Sequence, residues 1–155
     1  MNTFEANTSL LATSAIEVIQ KITEMTLVFA PNTLPNASFE IGLAIPFQGP
    51  INGVFVLQLD TNLAISLTHA ILKNDPTELS EEVWDVSGEL FNIIIGKFKA
   101  LLGNAVFSYF SPPIRCRTIA EIHALTEKKE PLLSLILKNS QNHLMVIRTY
   151  MKPTA

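Results

Sequence analysis

Residues 82–99 read Glu-Val-Trp-Asp-Val-Ser-Gly-Glu-Leu-Phe-Asn-Ile-Ile-Ile-Gly-Lys-Phe-Lys. On a helix that advances about 100° per residue, Asp85, Glu89, Asn92 and Gly96 fall within about 60° of one another. Gly88, Lys99 and Gly103 border the same stripe. The rest of the circumference is apolar, from Trp84 and Val86 through Leu90, Phe91, Ile93, Ile94 and Ile95 to Phe98, Leu101 and Leu102. A solvated face favours Lys, Glu, Gln and Ala, whereas this strip holds Gly88 and Gly96, each costing about 1 kcal/mol relative to Ala in a helix interior. Their missing side chains clear an approach to Glu89 and Asn92. A carboxylate and a carboxamide three residues apart in a cleared strip suit contact with the polar cleft of another molecule. The plainer alternative stays open: Glu89 is merely exposed, Asn92 is tolerated, and the glycines allow tight packing within the chain.

The element that carries the strip is bounded. Ser80 is a suitable N-cap, Glu81 and Glu82 follow in the first turn, where the helix dipole favours acids, and Gly103-Asn104 is a stop after Leu102. A first helix is expected over 8–26, with Leu11, Ala15, Val18, Ile19, Ile22 and Met25 on its buried side. Ala30-Pro31-Asn32 ends that element and Pro35-Asn36 keeps the next stretch a loop. Phe39, Ile41, Leu43, Ile45 and Phe47 alternate as in a strand, Gln48-Gly49-Pro50 turns, and Gly53–Asp60 completes a hairpin. Thr61–Lys73 reads as a short helix capped by Asp60 or Thr61, and Asn74-Asp75-Pro76-Thr77 as a loop. Pro112-Pro113 interrupts a strand-like stretch, and 119–125, 132–138 and 144–150 are three further strand candidates, with Glu127 to Glu130 a mixed-charge hairpin turn. The order predicts an α+β fold: one mostly antiparallel sheet with long helices packed on it.

A weak internal repeat is also present, with halves near 8–73 and 80–152 of one domain spanning 1–155. Thr13, Glu17 and Gln20 are spaced like Asp85, Glu89 and Asn92. Glu40-Ile41 and Pro50-Ile51 are matched with Glu121-Ile122 and Pro131-Leu132, which places an insertion around 108–117.

Composition narrows the function. The chain has 155 residues, 48% hydrophobic and 16% charged, so it can build a sizeable core. Its net charge of −3 argues against a nucleic-acid footprint. No uncharged apolar run reaches the ~18 residues of a membrane span. Met1 to Glu5 has no basic region of a secretory signal, so a cytoplasmic location is expected. One cysteine, Cys116, excludes an internal disulfide and multi-cysteine metal clusters; it has no motif context and reads as an inert core residue. His69, His123 and His143 are scattered without metal-ligand spacing, and Asp60-Thr61-Asn62 lacks the later acid of a calcium loop. No glycine-rich phosphate loop and no Gly-x-Ser-x-Gly occur.

The run Asp85-x3-Glu89-x2-Asn92-x3-Gly96 followed by Pro112-Pro113 resembles the active-site signature of the CheC/CheX/FliY chemotaxis phosphatases, with Glu-Leu-Phe-Asn-Ile-Ile-Ile-Gly very like their core helix. The first-half copy keeps Glu17 but has Gln20 in place of Asn and Glu24 in place of Gly, where a long side chain would crowd an approach. One intact and one degenerate motif is most similar to CheX. The resemblance implies a pseudo-symmetric α+β fold and a phosphatase acting on the aspartyl phosphate of a CheY-like receiver. It implies that Asn92 orients the attacking water and that Glu89 pairs with the receiver's lysine. Asp85 would assist docking or brace Glu89, and Gly88, Gly96 and Lys99 would complete the contact. It also implies a homodimer and no metal or cofactor bound by this chain, with Mg2+ supplied by the receiver. A receiver-binding adaptor without catalysis and a purely structural homodimer are the alternatives.

Overall fold

In the computed structural model, the structure describes residues 7–30, 39–76, 78–103 and 107–152. The expected loop at 31–36, Thr77, Asn104 and the first residues of the chain lie outside the described residues. In chain order the elements are α1 (Thr8–Thr23), β1 (Val28–Phe29), β2 (Ile41–Gln48), β3 (Gly53–Leu59), α2 (Thr61–Leu72) and α3 (Glu81–Leu102). They are followed by β4 (Tyr109–Phe110), β5 (Ile114–Cys116), α4 (Ile119–Thr126), β6 (Leu133–Lys138) and β7 (Leu144–Met151). The fold is α+β, as expected: all described strands join one antiparallel sheet in the order β1-β6-β7-β3-β2-β4, with β5 also pairing β2.

The order is symmetric about the β3–β7 pair. The short strand after α1 pairs with the second hairpin, and the short strand after α3 pairs with the first. The residue matches expected between the halves do not follow this symmetry. Ile41 opens a strand while Glu121-Ile122 lie inside a helix, and Pro131 precedes β6 while Pro50 sits in the β2–β3 turn.

Period-two patterning builds two unequal layers. Ile41, Leu43, Ile45 and Phe47 of β2, Phe55, Leu57 and Leu59 of β3, and Leu133, Leu135 and Leu137 of β6 face α1, α2 and α3 and form the main core. The opposite face carries Ala44, Val54, Val56 and Tyr150 under α4. Phe39 leaves the alternation expected for β2 and packs with Ile136, Leu144 and Val146 on that second face. At the centre, Phe55 meets Phe47 at 4.6 Å, Phe107 at 5.5 Å and Phe98 of α3 at 6.1 Å between ring centroids.

Three local expectations are corrected. Residues 119–125 form a helix, not a strand. Thr118 Oγ1 accepts from the Glu121 N–H at 3.2 Å, and the buried residues, Ile122 and Thr126, are four apart. The charged run after it therefore joins a helix to β6 instead of turning a hairpin, with Glu127 and Lys128 both at φ 56°. The first helix stops at Thr23, because Glu24 turns left-handed (φ 62°) and its N–H closes on Gln20 O at 2.9 Å. Ile22 is then 40% exposed, not part of the core. Ser80 stands at the N-cap of α3 but makes no side-chain capping bond, whereas Asp60 caps α2 by accepting from the Asn62 N–H at 3.0 Å.

Phe98 is the helix side chain that locks α3 onto the aromatic cluster, and it is fully buried. Phe98→Ala is expected to cost about 3–5 kcal/mol of stability, read from the denaturant midpoint.

Candidate functional site

The strip on α3 opens onto a groove of about 610 Å³, lined on the helix side by Trp84, Asp85, Gly88, Glu89 and Asn92. Its far wall is Leu43 of β2 together with Phe110, Pro112, Pro113 and Arg115. The helix is buried at Val83, Trp84, Val86, Ser87, Leu90, Phe91, Ile94, Ile95 and Phe98, which leaves the strip outside. Glu89 is exposed and Asn92 half-buried, one turn apart and about 4.5 Å along the axis.

The far wall exists because of a register change. β4 pairs Phe47 with Phe110, while β5 pairs Ala44 with Ile114, so one extra residue is accommodated between them. That is a β-bulge, placed where Pro112 and Pro113 have no N–H to give to the ladder. β5 can lie close to β2 because Gly42 has no side chain: a Cβ there would sit 2.7 Å from the Cys116 carbonyl oxygen. Opposite Leu43, on the same face of the sheet, stands Arg115.

Arg115 organises the charges at the mouth. Its Nη1 donates to Glu81 at 2.7 Å and its Nη2 to Asp85 at 2.6 Å. The Arg115 bond and charge hold the Glu81 carboxyl below its usual range, and the Glu81 bond in turn pushes the Arg115 guanidinium higher still. Arg115 and Arg117 also lie over the Trp84 ring, at 5.6 Å and 4.9 Å from its centroid. Asp85 is therefore tied to Arg115 and does not brace Glu89. Among the described residues, the side chains of Glu89 and Asn92 make no hydrogen bond or ion pair. They are the groove's unused polar groups.

The glycines do not serve internal packing. A Cβ at Gly88 would meet only Pro113 Cβ, at 3.9 Å, and one at Gly96 only Phe110 Cζ, at 3.8 Å, both ordinary contacts. Lys99 lies two turns beyond Asn92 and outside the groove lining. The corresponding strip on α1 is closed: Glu17 pairs with Lys97, and Gln20 Oε1 accepts from Thr26 Oγ1 at 3.0 Å. Glu24 lies past the end of α1, so it does not crowd a helical strip.

Sequence reasoning missed Arg115, Trp84, Phe110 and Leu43. The only local signal was Arg115-Cys116-Arg117, one residue after Pro112-Pro113. Among the described residues, no group of three or more His, Cys, Asp or Glu is placed to hold a metal ion, and no helix is long and apolar enough to cross a membrane.

The family model of the chemotaxis phosphatase CheX matches residues 41–132, which include the strip, the bulge and Arg115. The chain belongs to the CheX family. Solved structures agree in fold. The chemotaxis protein CheX from Vibrio vulnificus superposes with a TM-score of 0.74 at 22% identity, covering 92% of this chain and 93% of that one. A CheC-like superfamily protein from Shewanella sp. PV-4 gives 0.75 at 23% identity, covering 99% and 100%. The CheX–CheY–BeF3–Mg2+ complex from Borrelia burgdorferi gives 0.67 at 13% identity, covering 92% and 96%. No curated protein matches the chain in sequence.

The open contacts at Gly88 make a stability prediction. Gly88→Ala is expected to raise stability by about 0.5–1 kcal/mol, seen as a higher urea midpoint at unchanged slope.

Proposed function

We propose that this CheX-family chain accelerates hydrolysis of the aspartyl phosphate on a CheY-like receiver domain, and that Asn92 orients the attacking water. The observation that carries the reading is the pair of unengaged side chains, Glu89 and Asn92, on a strip whose neighbouring glycines are not needed for internal packing. A CheX relative from Borrelia burgdorferi has been solved with CheY, BeF3 and Mg2+, which supports a receiver as the partner class.

The chemistry needs little from this chain. In an acyl phosphate the carboxylate is already a good leaving group, and Mg2+ and a lysine are expected from the receiver. What is missing is a water held in line with the P–O bond that breaks. A carboxamide suits that role, because its oxygen accepts from the water while its NH2 donates to a phosphoryl oxygen. Water then adds to phosphorus as the P–O bond to the receiver's carboxylate breaks, and the water's proton ends on inorganic phosphate. Glu89 pairs with the receiver's lysine and fixes register. Gly88 and Gly96 let the receiver's loops reach the helix, and Asp85 and Lys99 border the contact. The homodimer belongs to the same proposal: β1 ends the sheet with Val28 and Phe29 exposed, an edge that a second copy can pair.

Single-turnover decay of a phosphorylated receiver tests the reading. Asn92→Ala is expected to reduce the acceleration by about 100-fold with binding largely kept. Glu89→Lys is expected to lose binding through charge reversal. Gln20→Ala, on the closed strip of α1, is expected to change neither. Gly88→Ala is expected to weaken receiver binding while stabilising the fold. Binding without acceleration by the unsubstituted chain would instead establish the adaptor reading.

A further inference from the structure

Glu89 borders two concavities, not one. On the helical wheel Gly88 and Asn92 lie to one side of it, and Ile93, Val86 and Leu90 lie to the other. The second side is a pocket of about 240 Å³ between three helices, walled by Ile22 of α1, Ile71 of α2 and Ile93, with Val86 and Leu90 beneath and Glu89 at the rim. Glu89 is its one polar lining residue. Val86 and Leu90 are buried at 9% and 3% exposure, while Ile22, expected in the core, is open at 40%. Ligand sites for drug-sized molecules run to about 300–1,000 Å³, so this pocket suits one apolar side chain.

We propose that this pocket receives an apolar side chain presented by the receiver beside its phosphorylation site, so that docking rests on an apolar anchor next to the Glu89 ion pair. The inference rests on the receiver reading above. Its basis is continuity: Glu89 lines both concavities, so a partner that closes over the Glu89 side chain covers the mouth of the pocket as well as that of the groove. An apolar anchor in a pocket with a charged pair at its rim is the arrangement that concentrates binding energy at interfaces, because the covered rim excludes water from the pair. It also separates tasks. The groove side of Glu89 serves chemistry, and the pocket side serves affinity.

The test is single-turnover dephosphorylation over a range of receiver concentrations, with Ile22→Glu and Ile22→Leu, and oligomeric state followed by light scattering. Ile22→Glu is expected to raise the half-saturating concentration tenfold or more while the maximal rate changes less than twofold. Ile22→Leu is expected to stay within twofold on both. Ile71→Gln supplies the same reading should Ile22→Glu lose its thermal transition. An unchanged half-saturating concentration in the substituted chains, with the unsubstituted chain active, overturns the pocket and leaves the receiver reading intact. A changed oligomeric state with Ile22→Glu overturns it as well, because the occupant is then a second copy. Failure of the unsubstituted chain to bind or dephosphorylate the receiver overturns the receiver reading and the pocket with it.

Discussion

The rotation of α3 about its own axis is the constraint on which the rest of the site depends. Val83, Phe91, Ile94, Ile95 and Phe98 are fully buried, and Phe98 engages the Phe55–Phe107 cluster on the sheet. Turning the helix by one residue would bring several of these into water and drive Glu89 toward the core, where an unpaired carboxylate costs several kcal/mol. Packing therefore leaves one orientation, and in it the strip faces out. The same packing explains why glycine can be carried in the strip. A helix held by so many buried contacts tolerates the ~1 kcal/mol that each interior glycine costs.

A second constraint acts through the sheet and is chemical as well as geometric. Gly42 admits β5 against β2, and the bulge at Pro112-Pro113 brings Arg115 to the α3 side. One guanidinium then binds two carboxylates, Glu81 and Asp85, at the head of the groove. Exposed pairs of this kind add little to stability. Their consequence is selective: they remove Asp85 from competition and leave Glu89 as the groove carboxylate with free acceptor capacity. A cation arriving from outside meets one open carboxylate instead of three.

α3 and its strip were legible in the sequence because a 22-residue helix displays its period many times over, and because glycine inside such a pattern needs a reason. The first hairpin was legible in the strict alternation over β2 and the apolar run of β3, and β6 and β7 as separate strand segments, but the second hairpin, expected to turn at Glu127–Glu130, turns between Lys138 and Leu144. α4 was not legible, because an eight-residue segment gives too few turns for a period to show. There the decisive signal was the Thr118–Glu121 cap, not the apolar residues. Arg115 could not be placed because its role comes from a register 72 residues away in the chain: Leu43 opposite Arg115 is information about pairing, not local pattern. Ile22 lies within α1 and on its apolar stripe, yet it stays 40% exposed because it borders an open pocket between the helices, which the period of one helix cannot show.

The two long helices occupy equivalent places in a symmetric sheet, yet only one carries an open strip, and the difference lies in side-chain partners. On α1, Glu17 is held by Lys97 from α3, and Gln20 is held by Thr26 just beyond the helix end. The Glu17–Lys97 pair consumes a carboxylate of one helix with a cation of the other, so it ties the helices together while closing the first strip. Beside α3, Arg115 is drawn to the first turns by Glu81 and Asp85 and stacks toward Trp84. Glu89, one turn further on, escapes it. Fold symmetry thus supplies two candidate strips, and the placement of two cations, Lys97 and Arg115, leaves the one with Glu89 and Asn92 open.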